Sequence, residues 1–194
     1  MKTPKDYTSN LANKIITPPM LDDCLYSVNK RAKNCRDKVR EYRNRLRWNC
    51  YPCLYENYLI QKMRYEERMD EYYAMKDKLL ALIQPTCIHH EIYFNRYEIE
   101  DCYYLFYKLP KHTFHHPISA PNDEQFESWA KKTYEGLEIV TLDDNIETYG
   151  DDTDNLISYQ FVKKVIALID SGDFTYQTVT PQRISTESEY RQCA

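Results

Sequence analysis

The chain has 194 residues, which suits one domain with or without a long tail. Its three glycines are Gly136, Gly150 and Gly172. The first two thirds therefore lack the glycine that tight phosphate-binding loops require, which argues against Rossmann and P-loop enzymes and favours long helices. The net charge of −4 conceals an asymmetry, because basic residues concentrate in 30–47 and acidic residues in 122–194.

The N-terminal quarter carries the clearest periodic signal. Residues 1–20 are predicted to form an extended arm. Apolar residues then recur at alternating intervals of four and three, and this packing seam consists of Leu21, Leu25, Val28, Ala32, Cys35, Val39, Tyr42 and Leu46. Such a heptad pattern predicts a helix that packs against another helix, and we place helix 1 at 21–48. Asp22 and Asp23 suit the positive end of its dipole.

Two further helices are predicted before residue 110. Pro52 is well placed to start a helix at about 53–84, which Pro85 ends. A third helix is predicted at 87–108, with a stripe made of Ile88, Ile92, Ile99, Cys102, Phe106 and Leu109. Short connections imply antiparallel neighbours. The predicted fold class is therefore mainly α, with an N-terminal antiparallel helical hairpin or three-helix bundle over 21–109.

The remainder of the chain, 110–194, is predicted to be a loop-rich, acidic and partly helical region. Helices are expected near 123–135 and 155–170, the second ended by a glycine. A short strand is expected at 137–141 and an acidic loop at 143–154.

The seven cysteines are Cys24, Cys35, Cys50, Cys53, Cys87, Cys102 and Cys193. They fit a disulfide-stapled bundle in an oxidising compartment and, equally well, small buried thiols in a reducing one. If helices 1 and 3 run parallel, Cys87 starts near Cys24, and helical rise brings Cys35 and Cys102 to similar levels. The predicted bridges are therefore Cys24–Cys87 and Cys35–Cys102, with Cys50 and Cys53 as a local pair or free thiols and Cys193 unpaired.

Catalytic and metal-binding motifs are weak. The sequence contains neither GxSxG nor HExxH, so we predict no catalytic residue, no cofactor and no metal. Cys50-x-x-Cys53 would need Cys87 and His89 to complete a zinc site. The five histidines fall in one stretch: His89, His90, His112, His115 and His116. Prolines bracket the last three, which favours loop histidines over chelating ones.

One stretch carries a resemblance to a known family. Residues 53–87 begin with Cys53–Leu54–Tyr55–Glu56, continue through QKMRYEERMDEYYAMKDKL and end at Cys87. This stretch resembles the PDSW-type accessory subunit of mitochondrial respiratory complex I. The resemblance implies a cysteine-flanked helical hairpin without a transmembrane helix, oxidised to disulfides. It also implies a non-catalytic structural subunit that binds other protein subunits, peripheral to the inner membrane on the intermembrane-space side.

Two other functions remain open, together with a cytoplasmic location. One is a small inhibitor or adaptor that binds a single macromolecular target. The other is a nucleic-acid-binding module that uses helix 1, where 30–47 holds nine basic and two acidic residues. Tyrosines are not interleaved with these charges, which disfavours nucleic acid, whereas lipid head-group contacts fit them. The longest apolar run, 165–169, is too short to cross a bilayer, so no transmembrane segment is predicted.

Overall fold

The computed structural model describes residues 5–48, 51–94, 99–118, 126–141 and 156–177. The helices of these ranges are α1 (Lys5–Ala12), α2 (Pro18–Trp48), α3 (Pro52–Leu80), α4 (Phe126–Thr133) and α5 (Tyr159–Ser171). Their strands are β1 (Ile15–Ile16), β2 (Cys87–Phe94), β3 (Ile99–Lys108), β4 (Thr113–Ile118), β5 (Ile139–Thr141) and β6 (Thr175–Tyr176). Helix dominates, which confirms the predicted mainly α class.

The long helices α2 and α3 pack together as the predicted helical hairpin. Helix α2 begins earlier than expected, at Pro18, because prolines are tolerated in a first turn whose N–H groups have no intrahelical acceptor. Pro52 opens α3 after an extended Tyr51. Helix α3 ends at Leu80, four residues before the predicted end.

The packing seam of α2 is buried along its first two thirds only. Its buried members are Leu21, Leu25, Val28, Ala32, Cys35 and Val39. Tyr42 and Leu46 are half-buried. The reason is the position of the core, in which the start of α2 meets the end of α3, the sheet and α5. Among the described residues, the last buried residue of α2 is Val39, and the far end of the hairpin has none.

The third predicted helix, at 87–108, is wrong. This stretch forms the antiparallel strands β2 and β3, in which Ile88 pairs with Leu105. Alternate residues face the core, so Leu105 and Tyr107 are both buried. Apolar residues four apart satisfy the strand period of two as well as the helical period, and the many β-branched and aromatic residues favour the strand. The three-helix alternative for 21–109 is therefore wrong, and the helical hairpin remains.

The four-stranded sheet has the order β4-β3-β2-β5, with β5 parallel to β2 and the other pairs antiparallel. Strand β5 lies within the stretch predicted as a strand, 137–141. Tyr103 of β3 stacks on Phe126 of α4 with ring centroids 3.4 Å apart. Strands β3 and β4 lie on opposite sides of the 109/110 boundary and pair with each other, so one sheet spans both predicted regions.

The extended conformation predicted for 1–20 is wrong at Lys5–Ala12, which forms α1, and from Pro18, where α2 begins, whereas Ile15–Ile16 is extended as strand β1. Tyr7 and Leu11 lie one helical turn apart on α1 and pack against the core, which explains the helix. The Tyr7 hydroxyl donates a hydrogen bond to Asp23 at 2.7 Å. Strand β1 then pairs in parallel with β6, and Ile16 is fully buried.

The helices expected near 123–135 and 155–170 correspond to α4 and α5. Ser158 caps α5 by accepting a backbone N–H of its first turn, and Gly172 ends it with a left-handed φ of 67°. The acidic loop predicted at 143–154 lies outside the described residues. Among the described helices, none combines the length and apolar character that a membrane span requires.

Candidate interaction surface

The end of the helical hairpin that lies away from the core has no buried residue in its described part. Burial in α2 stops at Val39, and burial in α3 begins only at Met75. We define the distal arm as residues 40–48 and 51–63, none of which is buried. At about 1.5 Å per residue the arm is roughly 18 Å long.

Tyrosines of the two helices contact each other in the arm and beside it. Tyr42 of α2 lies beside Tyr58 and Tyr65 of α3, with ring centroids 6.0 and 5.9 Å away. The guanidinium of Arg45 lies 5.7 Å from the Tyr42 ring centroid and 5.6 Å from that of Tyr58. Arg45 also forms an ion pair with Glu41 at 2.5 Å. Aromatic, cation–π and ionic contacts therefore connect or order the two helices in this region.

Exposed large apolar side chains concentrate on this arm. Seven of the eight in the described residues belong to it: Trp48, Tyr51, Leu54, Tyr55, Leu59, Ile60 and Met63. The eighth, Val140, lies on β5. Single exposed apolar residues are ordinary, whereas a contiguous group marks an interaction surface.

This surface has two parts, which we call the stripe and the tip. The stripe consists of Tyr55, Leu59 and Met63, which follow one another every four residues along one side of α3. The tip is formed by the last residue of α2, the N-cap of α3 and its first turn, and it consists of Trp48, Tyr51 and Leu54. The stripe lies along the length of α3, whereas the tip lies where α2 ends and α3 begins.

The arm is also the positive end of an acidic molecule. It contains five basic residues, which are Arg40, Arg43, Arg45, Arg47 and Lys62. Its acids are Glu41 and Glu56, which leaves a formal charge of +3. Because the whole chain carries −4, the remainder carries −7.

The cysteines do not form the predicted framework. Cys24, Cys35, Cys87 and Cys102 are free thiols, so the bridges Cys24–Cys87 and Cys35–Cys102 are absent from the structure. The scheme fails because it required a parallel helix at 87–108, where the chain forms strands instead. Burial raises the pKa of the Cys24, Cys35 and Cys87 thiols, as expected for cysteines that pack as small apolar residues.

The predicted local pair of Cys50 and Cys53 cannot be described, because only Cys53 lies in the described residues. Cys53 is free and exposed in the first turn of α3. Cys50 and Cys193 lie outside the described residues. Cys53 lies in the first turn of α3 and Cys87 starts β2 after the other end of that helix, and α3 is about 40 Å long at the helical rise, so the two do not share a zinc site.

The histidines lie on β2 and β4 and in the turn before β4, rather than in a loop alone. His89 is buried against Phe106, with ring centroids 4.1 Å apart, and lies 5.7 Å from His115. Lys76 donates to the backbone carbonyl of His115 at 2.8 Å. Within the described residues, no group of three or more His, Cys, Asp or Glu side chains is placed to hold a metal ion.

The carboxylate of Asp22 connects α2 to the sheet. From the sequence it was expected only to favour the positive end of the helix dipole. Asp22 is fully buried and accepts the Lys111 backbone N–H at 2.6 Å, while its other oxygen lies 2.7 Å from His112 Nδ1. Tyr26 stacks on the His112 ring, with centroids 4.3 Å apart. Asp23 forms an ion pair with Lys111 Nζ at 2.7 Å. Both Asp22 oxygens hold the turn between β3 and β4, so we interpret the Asp22–His112 contact as structural. The adjacency of Asp22 to the buried seam residue Leu21 is the signal that could have indicated this.

Comparisons with known proteins found no relative of this chain. No family model, no curated protein and no solved structure gives a significant match to this chain. The residues that carry the resemblance to PDSW-type subunits lie on α3 and at the first position of β2.

Proposed function

We propose that the chain is a non-catalytic structural subunit that binds a neighbouring protein through the stripe on α3. The observation that carries this proposal is the concentration of exposed apolar side chains on the distal arm. Water contact with such a group is unfavourable, and a partner that covers it would recover roughly 25 cal/mol for each Å² of apolar surface removed from water.

The stripe has the geometry of a helix-in-groove contact. Tyr55, Leu59 and Met63 form a line about 12 Å long on α3. Tyrosine and methionine are enriched at the centres of protein interfaces. The helix is already formed, so binding orders few additional dihedral angles. A small inhibitor or adaptor would use the same stripe against a single target.

For the assembly itself, we propose a mitochondrial respiratory complex of the complex I type. The chain would lie peripheral to the inner membrane, on the intermembrane-space side. The support is the resemblance of residues 53–87 to PDSW-type subunits. The free thiols of Cys24, Cys35, Cys87 and Cys102 give this location no additional support.

Affinity purification of the tagged chain from its native cells tests the stripe. The wild-type chain is expected to retain a partner at a fixed molar ratio, and Leu59→Asp/Met63→Asp is expected to lose it. Val140→Asp is the matched control, since Val140 is similarly exposed but lies on the sheet. Circular dichroism checks that each variant is folded. Retention of the same partner by the stripe variant would contradict the proposal.

A native gel separates the two levels of the proposal. Co-migration with complex I activity is expected. Co-migration with a different assembly, lost on Leu59→Asp/Met63→Asp, would refute the mitochondrial assignment and leave the stripe as the binding surface.

A further inference from the structure

The tip of the distal arm has a different character from the stripe. Trp48 and Tyr51 are 75% and 72% exposed, the two highest values among exposed large apolar residues. Leu54 adds an aliphatic side chain in the first turn of α3. All three lie at the end of the hairpin that is farthest from the core, and all three are exposed.

Positive charge surrounds this tip. Arg43 and Arg47 are exposed and lie on the last turns of α2, within about 8 Å of Trp48 along the helix axis. The arm carries +3 and the rest of the chain −7. This separation of charge turns the molecule tip-first towards an anionic surface.

We propose that the tip inserts into the interface of an anionic lipid bilayer. Tryptophan and tyrosine prefer this zone because they combine an apolar body with a polar edge. An insertion depth of about 5–10 Å would cover Trp48, Tyr51 and Leu54 and would place Arg43 and Arg47 among the lipid phosphates. The contact uses the end of the arm and is independent of the protein partner proposed for its side.

An anionic bilayer fits this shape better than a nucleic acid or an acidic protein does. A single strand of nucleic acid needs a basic groove with aromatic platforms along it, whereas the apolar residues of the tip come from the ends of two helices. A protein partner would have to provide a cavity that matches these three side chains. A bilayer accepts exposed apolar side chains at the end of a helix pair and supplies phosphates for the nearby arginines.

Vesicle binding with one fluorescent reporter tests the proposal on the full chain. Trp129 is the second tryptophan, and it packs against Phe126 with ring centroids 5.8 Å apart. In a Trp129→Phe background, the emission of Trp48 is expected to shift to the blue on vesicles with about one third phosphatidylglycerol, and much less on phosphatidylcholine alone. Flotation measures the bound fraction.

Three variants separate the contributions to vesicle binding. Trp48→Ser/Tyr51→Ser is expected to weaken partitioning at least about tenfold by loss of apolar burial. Arg43→Gln/Arg47→Gln is expected to weaken it about 25-fold at low salt, since each arginine near an anionic surface contributes roughly fivefold. The matched charge control is Lys131→Gln/Lys132→Gln on α4, which should leave binding unchanged.

Several outcomes would overturn the proposal. These are no binding to anionic vesicles, binding that survives Trp48→Ser/Tyr51→Ser, or an unshifted Trp48 spectrum on bound vesicles. Binding to polyuridylate that the same variants abolish, without vesicle binding, would assign the tip to nucleic acid instead. Leu59→Ser/Met63→Ser removes the apolar stripe without adding negative charge and should still bind vesicles, so failure of the stripe proposal is distinguishable from failure of this one.

Discussion

Asp22→Ala is expected to be one of the most destabilising single changes in this chain. The substitution removes two hydrogen bonds from a fully buried carboxylate, one from the Lys111 backbone N–H at 2.6 Å and one with His112 Nδ1 at 2.7 Å. Each hydrogen bond to a charged group contributes about 1.5–3 kcal/mol, so the free energy of unfolding should fall by about 3–6 kcal/mol. At about 3 °C per kcal/mol for a chain of this size, Tm should fall by roughly 9–18 °C.

Urea denaturation followed by circular dichroism measures this loss of stability, and two other variants provide comparisons. Asp23→Ala removes a more exposed carboxylate, whose ion pair with Lys111 is half-exposed, and should cost about 1–2 kcal/mol. Asp22→Asn keeps an acceptor for the Lys111 N–H and should cost less than Asp22→Ala. A double-mutant cycle with His112→Ala should give a coupling of about 1–2 kcal/mol. If Asp22→Ala costs no more than Asp23→Ala, the buried carboxylate does not hold the turn between β3 and β4.

Three further changes test the core, the histidines and a helix end. Val39→Asp places a charge at a seam position that is 6% exposed and should cost about 2–4 kcal/mol in urea denaturation; unchanged stability would mean that the seam is open to solvent. Burial lowers the pKa of both His89 and His115, and the charges of His89 and Lys76 lower the pKa of His115 further. The unfolded chain therefore binds protons more readily than the folded chain does. Stability should therefore fall as pH drops below about 6.5, and His89→Phe should flatten that dependence; an equal pH slope in the variant would contradict this. Gly172→Ala should lower Tm by a few degrees, equivalent to about 1 kcal/mol, because the residue has a left-handed φ of 67°; an unchanged Tm would show that this helix end tolerates a side chain.

The prediction of secondary structure failed where one sequence pattern fits both a helix and a strand. Apolar residues four apart in 87–108 fit a helix and a strand, and only pairing between β2 and β3, with β5 and β4 on either side, selects the strand. The disulfide scheme depended on that helix and failed with it. The role of Asp22 was also missed, because its partners lie about 90 positions away in a turn whose location depends on the sheet.

The helical hairpin was predictable from local features of the sequence. Heptad spacing, Pro52 at the start of α3 and the absence of glycine before Gly136 act within a few turns of chain. The end of α5 at Gly172 is local in the same sense. Which part of the seam is buried depends on the tertiary structure. The sheet and α5 cover the base of the hairpin and stop before Tyr42, so identical periodicity produces a core at one end and an exposed arm at the other. Burial depends on which distant elements pack nearby, and helical period carries no information about them.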